Sequence, residues 1–405
     1  MSSAPSRRVI LTAVFSSSLG VGMIFGFQPP LIALTLERAG SSSFTIGAVI
    51  SISLVAVILL GPIYPRIVSL LGLRRCIVFG MGIAALTLLA MPWWPGVAAW
   101  LILRFIAGSV LGLTWIASEI WMNNVSGTQS RGTIMGIYGT VFSLGIICGP
   151  LLLELTGTHG AWPFTAGALV LLVSLLPLAV LRRVVSEPQA FTSWGSLTAG
   201  LRAAPVVLGA ALVAGLVESA DLTLLPLFGV HAALSEREAL MLVTVFLVGN
   251  VILQVPVGML ADRYGRRRLL GICALLSAIG PLLLQVCLGQ PLLLWPLLFL
   301  WGGTLYAFYS QGVALMGEEF AADQLPGANT LFVMVYCLGG VIGPSVGGLA
   351  MDIWPRQGLQ LLVSSAAFLL LVGLVIGRRR LRAPADYTTR DKGRIRTPSS
   401  SKTTK

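Results

Sequence analysis

Three ionisable residues stand inside long apolar runs: Arg104 in WLILRFIAGSV, and Glu218 and Asp221 in LVESADLTLL. A charge at membrane depth costs at least about 2.5 to 3.5 kcal/mol, so each must face protein or a wet cavity. Glu218 and Asp221 are three positions apart and share a face of a helix. A carboxylate beside a mobile arginine can exchange a proton for the ion pair, which couples proton and solute movement; the competing reading is a permanent interhelix salt bridge that fixes packing. Along helices rising about 1.5 Å per residue, Arg104 lies roughly 10 Å from one membrane face and the two carboxylates roughly 10 to 15 Å from the same face. Contact between Arg104 and one of them is sterically open. Glu119, about 22 Å further along the Arg104 helix, reads equally as an inner-gate partner for Arg131 or as a solvated helix-end charge. His159 and His231 have no catalytic companions, and the five cysteines form no CxxC pair. With no nucleotide loop, metal cluster or nucleophile triad in the pattern, enzyme, metal and cofactor chemistry have no support.

The elements that must position these charges are helices in lipid. Of the 405 residues, 56% are hydrophobic and 10% charged, against roughly 25% charged in soluble domains. Only a helix of about 20 apolar residues satisfies its own backbone across roughly 30 Å of hydrocarbon. Twelve segments meet that test, at 10–36, 44–65, 75–93, 97–121, 133–155, 161–181, 205–228, 239–260, 269–288, 291–315, 327–350 and 357–377. The first run is too long for a signal-peptide core and is expected to stay as a span. The net charge of +12 does not point to nucleic acid, because the basic residues are confined to short turns and the tail. With the N-terminus inside, only Arg38, Arg237 and Arg356 fall outside, and Arg104 alone lies within a span. That bias predicts an N-in, C-in topology.

The chain reads as an all-α integral membrane protein of two six-helix bundles, 1–181 and 205–377, joined by a cytoplasmic linker over 182–204. A disordered basic tail follows over 378–405. The two halves echo one another. GIICGP carries Gly145, Gly149 and Pro150, and GGVIGP carries Gly339, Gly343 and Pro344, 194 positions later. A second echo links GPIYPRIVSLLGLRR from Gly61 with GMLADRYGRRR from Gly258, 197 positions later. Such duplication is a transporter device. The glycines let helices approach closely in lipid, and the matched prolines point to bending rather than fixed packing.

On these residues the sequence is similar to the major facilitator superfamily, over nearly its whole length. Gly258, Asp262, Arg263, Gly265, Arg266 and Arg268 match the superfamily's signature turn in spacing and type. The turn from Gly61 departs from it, with Pro65 where the acid belongs. Gly136, Gly145, Gly149 and Pro150 resemble the antiporter signature of the fifth span, although Leu153 and Glu154 replace its closing glycines. Arg104 and Gly108 resemble the buried-arginine motif of the fourth. The resemblance implies a central cavity lined by the first, fourth, seventh and tenth spans. Gln28, Arg104, Glu218, Asp221, Trp301 and Tyr306 would surround it, with Asn250 and Gln254 contributing from the eighth. The function expected is secondary active transport by alternating access, with proton-coupled export of a small amphipathic compound. The alternatives are an uptake permease for a small organic solute and a non-transporting receptor or scaffold. The expected partners are a small-molecule substrate, protons and the lipid of a bacterial inner membrane, with no nucleic acid and a monomeric state.

Overall fold

The computed structural model describes residues 7–125, 131–179, 205–320 and 325–382. Every regular element among them is helical, as hydrocarbon requires of a backbone that must bond to itself. The first half runs α1 (Arg7–Arg38), α2 (Ser43–Leu60), α3 (Tyr64–Leu71), α4 (Leu73–Ala90), α5 (Val97–Val125), α6 (Arg131–Thr156), α7 (Trp162–Ser174) and α8 (Leu176–Ala179). The second runs α9 (Pro205–His231), α10 (Glu236–Ile252), α11 (Gln254–Tyr264), α12 (Arg266–Cys287), α13 (Pro291–Glu319), α14 (Leu325–Ile353) and α15 (Gly358–Arg382).

The same packing occurs once in each half. Gly22 and Gly26 of α1 meet Gly145 and Gly149 of α6; a Cβ at Gly145 would strike the Leu19 carbonyl, and one at Gly149 the backbone of Gly26 and Phe27. In the second half Gly215 of α9 lies against the backbone of Tyr336 and Gly340 of α14, and Cβ atoms added at Gly339 and Gly343 would run into the Leu212 and Leu216 carbonyls. Backbones therefore touch where lipid offers no hydrophobic drive to hold helices together. Both α6 and α14 run unbroken through Pro150 and Pro344. Each proline withholds the donor that would bond the carbonyl four residues back, at Ile146 and Gly340.

The halves meet chiefly where α2 lies along α14. Gly47 sits against Pro344, and Gly348 against Ser43. Ser51 donates to the Val341 carbonyl at 2.9 Å, and Ser345 lies 3.1 Å from the Ser51 hydroxyl. Large apolar side chains face outward elsewhere, and Trp93, Trp94, Trp162 and Trp354 are exposed near one end, as in an interfacial aromatic belt.

The span boundaries differ from expectation at three places. Ten described helices are long and apolar enough to cross a membrane, or eleven if α10 and α11 are one span bent by 45°. That bend falls at Leu253, because Pro256 in the first turn of α11 cannot donate to Ile252. The expected sixth span begins as α7 but is short, and its end at 181 lies outside the described residues. The last helix reaches Arg382 rather than stopping at 377, so the basic segment begins as helix. The linker over 182–204 and the rest of the tail lie outside the described residues. The five cysteines are unpaired, and Cys76, Cys273 and Cys337 are buried packing residues.

Candidate functional site

A cavity of about 130 Å³ lies between the halves. Its wall is drawn from α1, α2, α5 and α6 on one side and α9 and α14 on the other. Helical period selects the lining: Arg104, Gly108, Leu111 and Trp115 form one stripe of α5, and Gly215, Glu218, Ser219 and Leu222 one stripe of α9. Most of the wall is apolar. Its one basic and one acidic side chain are Arg104 from the first half and Glu218 from the second.

Neither charge is paired with the other. Arg104 is 6% exposed; its Nη1 donates to Gln28 Oε1 and its Nη2 to the Ile50 carbonyl at 3.4 Å, while Nε has no acceptor among the described residues. Ser53 donates to the Arg104 carbonyl at 2.8 Å, tying α2 to α5 beside the guanidinium. Glu218 accepts from the Tyr336 hydroxyl at 2.6 Å. Tyr336 in turn packs edge-on to Tyr309, 5.3 Å between ring centroids. On the first-half side Phe25, Trp115 and Phe142 form an aromatic box with centroids 5.7 to 6.4 Å apart. Trp115 is oriented there by its indole N–H, which donates to Glu119 at 2.9 Å.

One end of the cavity is fastened by contacts between the halves. Arg38 bridges Glu236 at 2.7 Å and also donates to the Thr158 hydroxyl and carbonyl, while Thr158 donates to Glu236. Arg237 pairs with Glu154 at 2.6 Å, and His231 with Glu37 at 2.7 Å. Asp352, after α14 has crossed, accepts from the backbone N–H groups of Ser43 at 2.7 Å and Phe44 at 3.0 Å, placing a carboxylate on the N-terminus of α2. At the other end lie two sharp turns, at Gly72 with φ of 81° and Gly265 with φ of 88°. Each glycine ends one helix and starts the next, a left-handed conformation in which a Cβ is unfavourable.

The profile of the Major Facilitator Superfamily matches residues 10–242 and again 207–404, together nearly the whole chain. The chain belongs to the major facilitator superfamily. It is accordingly a multi-pass membrane transporter. An uncharacterized MFS-type transporter of Bacillus subtilis, YfkF, is 25% identical over 383 residues, spanning 93% of this chain and 97% of that one. One from Yersinia pestis is 28% identical over 322 residues, spanning 76% and 80%. The crystal structure of the nucleoside transporter NupG superposes with a TM-score of 0.72 at 16% identity, over 91% of this chain and 98% of that one. A bacterial homologue of the human lysosomal transporter Spinster, in an inward-facing and unoccupied conformation, superposes with a TM-score of 0.70 at 14% identity over 93% of this chain and 96% of that one. At such identities the structures share the fold.

Several residues expected around the superfamily member's cavity are elsewhere. Gln28, Arg104 and Glu218 line it, but Asp221 does not. It is 0% exposed with both carboxylate oxygens unpartnered among the described residues. Three helical positions leave side chains about 60° apart, enough to carry Asp221 from the cavity stripe of α9 into the packed side. Neither carboxylate reaches ion-pair distance of Arg104. Trp301 is buried against Phe246, 5.1 Å between centroids, because Gly249 and Gly302 bring α10 and α13 into backbone contact. Asn250 sits at that same contact, and Gln254 is half-buried at the start of α11. The tenth-span helix α13 thus contributes no described wall residue, and α2, α6 and α14 take its place. The side chains of Tyr306 and Arg131 lie outside the described residues, so the expected pairing of Glu119 with Arg131 is not tested by these contacts.

The signature turn is formed as its residues imply. Gly258 faces open space, Gly265 has the positive φ, and Arg266 stands 3.6 Å from Asp262 and 3.5 Å from Glu318. Arg263 lies over the Tyr264 ring, and Arg268 lies in the first turn of α12. The earlier turn pairs differently from its sequence echo. Because Gly72 plays the part of Gly265, the position three before it is Ser69, which therefore stands where Asp262 stands in the second half. Pro65 instead matches Gly258. Ser69 donates to the Arg66 carbonyl at 2.8 Å, so that turn lacks the acid altogether.

Sequence reasoning missed Tyr336, the aromatic box and the inter-half fastening. The box had a signal in the α-helical register of Trp115 with Arg104. Glu37, Glu154, Glu236 and Asp352 had none, since their partners come from across the molecule.

Proposed function

We propose that this superfamily member is a secondary active transporter that opens the Arg104 and Glu218 cavity alternately to either face of the membrane and exports a small amphipathic compound in exchange for protons. The observation that carries this reading is a mostly apolar cavity walled by both halves, with a basic group from one and an acidic group from the other, beneath an end held by ion pairs. A cavity shared in this way changes its access whenever the halves tilt. The fastening is weak enough to cycle, since exposed pairs contribute about 0.2 to 1 kcal/mol each.

The arginine distribution supports an N-in, C-in orientation, which makes the fastened end external. Proton coupling is supported by Glu218, a cavity carboxylate bound to Tyr336 and free of Arg104. Export is supported by the antiporter-like glycines of α6, which here pack on α1 beside the cavity. The likeness to the fold of the nucleoside transporter NupG favours a second reading: a small organic solute as substrate, carried here by uptake. The protein works as a monomer in a bacterial inner membrane, with solute and protons as its partners.

A solute panel in everted and right-side-out vesicles, with and without a pH gradient, tests this. The expected result is a solute accumulated by everted vesicles only with the gradient, and uncoupled by Glu218→Gln. Accumulation by right-side-out vesicles supports uptake instead. No movement of any solute in either orientation refutes transport and leaves the scaffold reading.

A further inference from the structure

We infer that the cavity is built for a bipolar ligand: a single aromatic ring carrying an anionic or strongly accepting group toward Arg104 and a cationic group toward Glu218. This rests on the transporter reading above and adds the chemical class of its substrate. Two opposite charges line one cavity, one from each half, and each is held by a neutral partner instead of by the other. Arg104 has five N–H donors and, among the described residues, only the Gln28 and Ile50 oxygens to receive them, the second at 3.4 Å. Glu218 has one oxygen engaged by Tyr336. Both charges retain bonding capacity in a mainly apolar surround, where an unpaired charge is costly. A singly charged ligand would satisfy one and leave the other unmatched; a bipolar one satisfies both with no net charge added.

The ring follows from the wall and the volume. Phe25, Trp115 and Phe142 stand around the first-half side with centroids 5.7 to 6.4 Å apart, spacing suited to offset or edge contacts with a further ring. The cavity of about 130 Å³ is close to the roughly 150 Å³ cavity that holds one benzene. A fused polycycle would exceed it. Because the two charges belong to different halves, such a ligand also ties the halves together, so its binding would bias their tilt.

The test uses the full-length protein in lipid nanodiscs and calorimetric titration of matched probes. Bipolar probes with two charge spacings are 4-(aminomethyl)benzoate and phenylalanine; the controls are benzylamine, 4-methylbenzoate and 4-methylbenzamide. At least one bipolar probe is expected to bind about tenfold or more tighter than every control. Glu218→Gln should reduce its advantage over 4-methylbenzoate to within about threefold, and Arg104→Gln its advantage over benzylamine likewise. Binding of all probes within about threefold of one another by the unaltered protein overturns the inference, as does failure of both bipolar probes to bind. These comparisons need no variant to fold. Failure here differs from failure of the transport reading. If vesicles move a solute of another class, transport stands and this inference falls; if the bipolar probe binds but no solute moves, the site stands without the transport.

Discussion

Glu236→Gln should release the fastened end by a measurable amount. Glu236 joins the halves through Arg38 at 2.7 Å and through the Thr158 hydroxyl, with His159 at 3.7 Å. The side chains of Arg38 and Glu236 are 30% and 35% exposed. The pair therefore belongs with partly solvated ion pairs worth about 0.2 to 1 kcal/mol, and the Thr158 bond adds about 0.5 to 1.5 kcal/mol. The amide keeps the shape and one acceptor, so the loss is about 1 kcal/mol, close to a fivefold shift toward the state open at this end. Fluorophores at Ala39 and Arg356, introduced as non-canonical amino acids in nanodisc-embedded protein, would report the separation of the halves there. The long-distance population should rise about fivefold in Glu236→Gln. Adding Arg38→Gln should add little, because the two residues share one interaction. An unchanged distance distribution in Glu236→Gln, or two fully additive shifts, would refute the assignment of these residues to a single clasp.

Gly149→Leu and Gly343→Leu should lower thermal stability in detergent by about 1 to 3 kcal/mol or more through overpacking, whereas Gly139→Ala, which faces open space, should stay near the parent; equal melting temperatures across the three would contradict the backbone contacts. Gly265→Ala should cost about 1 to 2 kcal/mol despite its open surroundings, from positive φ alone, read as a lowered melting temperature. Asp221→Asn should leave ligand affinity within about threefold, since Asp221 is outside the cavity, while Glu218→Gln changes it; the reverse order in a binding titration would show that the cavity is misassigned. Tyr336→Phe removes the hydroxyl bonded to Glu218 and should alter the pH dependence of transport without abolishing solute binding, which parallel flux and titration curves would separate.

The membrane class, most of the helices and the signature turn were legible in the sequence because they depend on local composition. A run of apolar residues must be helical in lipid whatever it touches, and Gly265 needs positive φ because of the turn it occupies. The duplicated GxxxGP was legible as well, since close helix approach selects glycine on both partners. Arg104 and Glu218 were found because a charged group in an apolar run must have a reason to be there, and Gln28 through the resemblance to the superfamily. Tertiary structure alone decided which face each helix turns to whom. It turned the side of α9 that carries Asp221, about 60° round from Glu218, into packed protein rather than the cavity, buried Trp301 behind the glycines of α10 and α13, and replaced the expected ion pair with Gln28 and Tyr336 as separate partners. It also aligned Ser69, rather than Pro65, with Asp262, because a single turn glycine sets the register. The clasp between the halves was invisible for the same reason: Glu37, Glu154, Glu236 and Asp352 meet hydrogen-bond partners 78 or more positions away. Sequence distance carries no record of which helices a folded chain brings side by side.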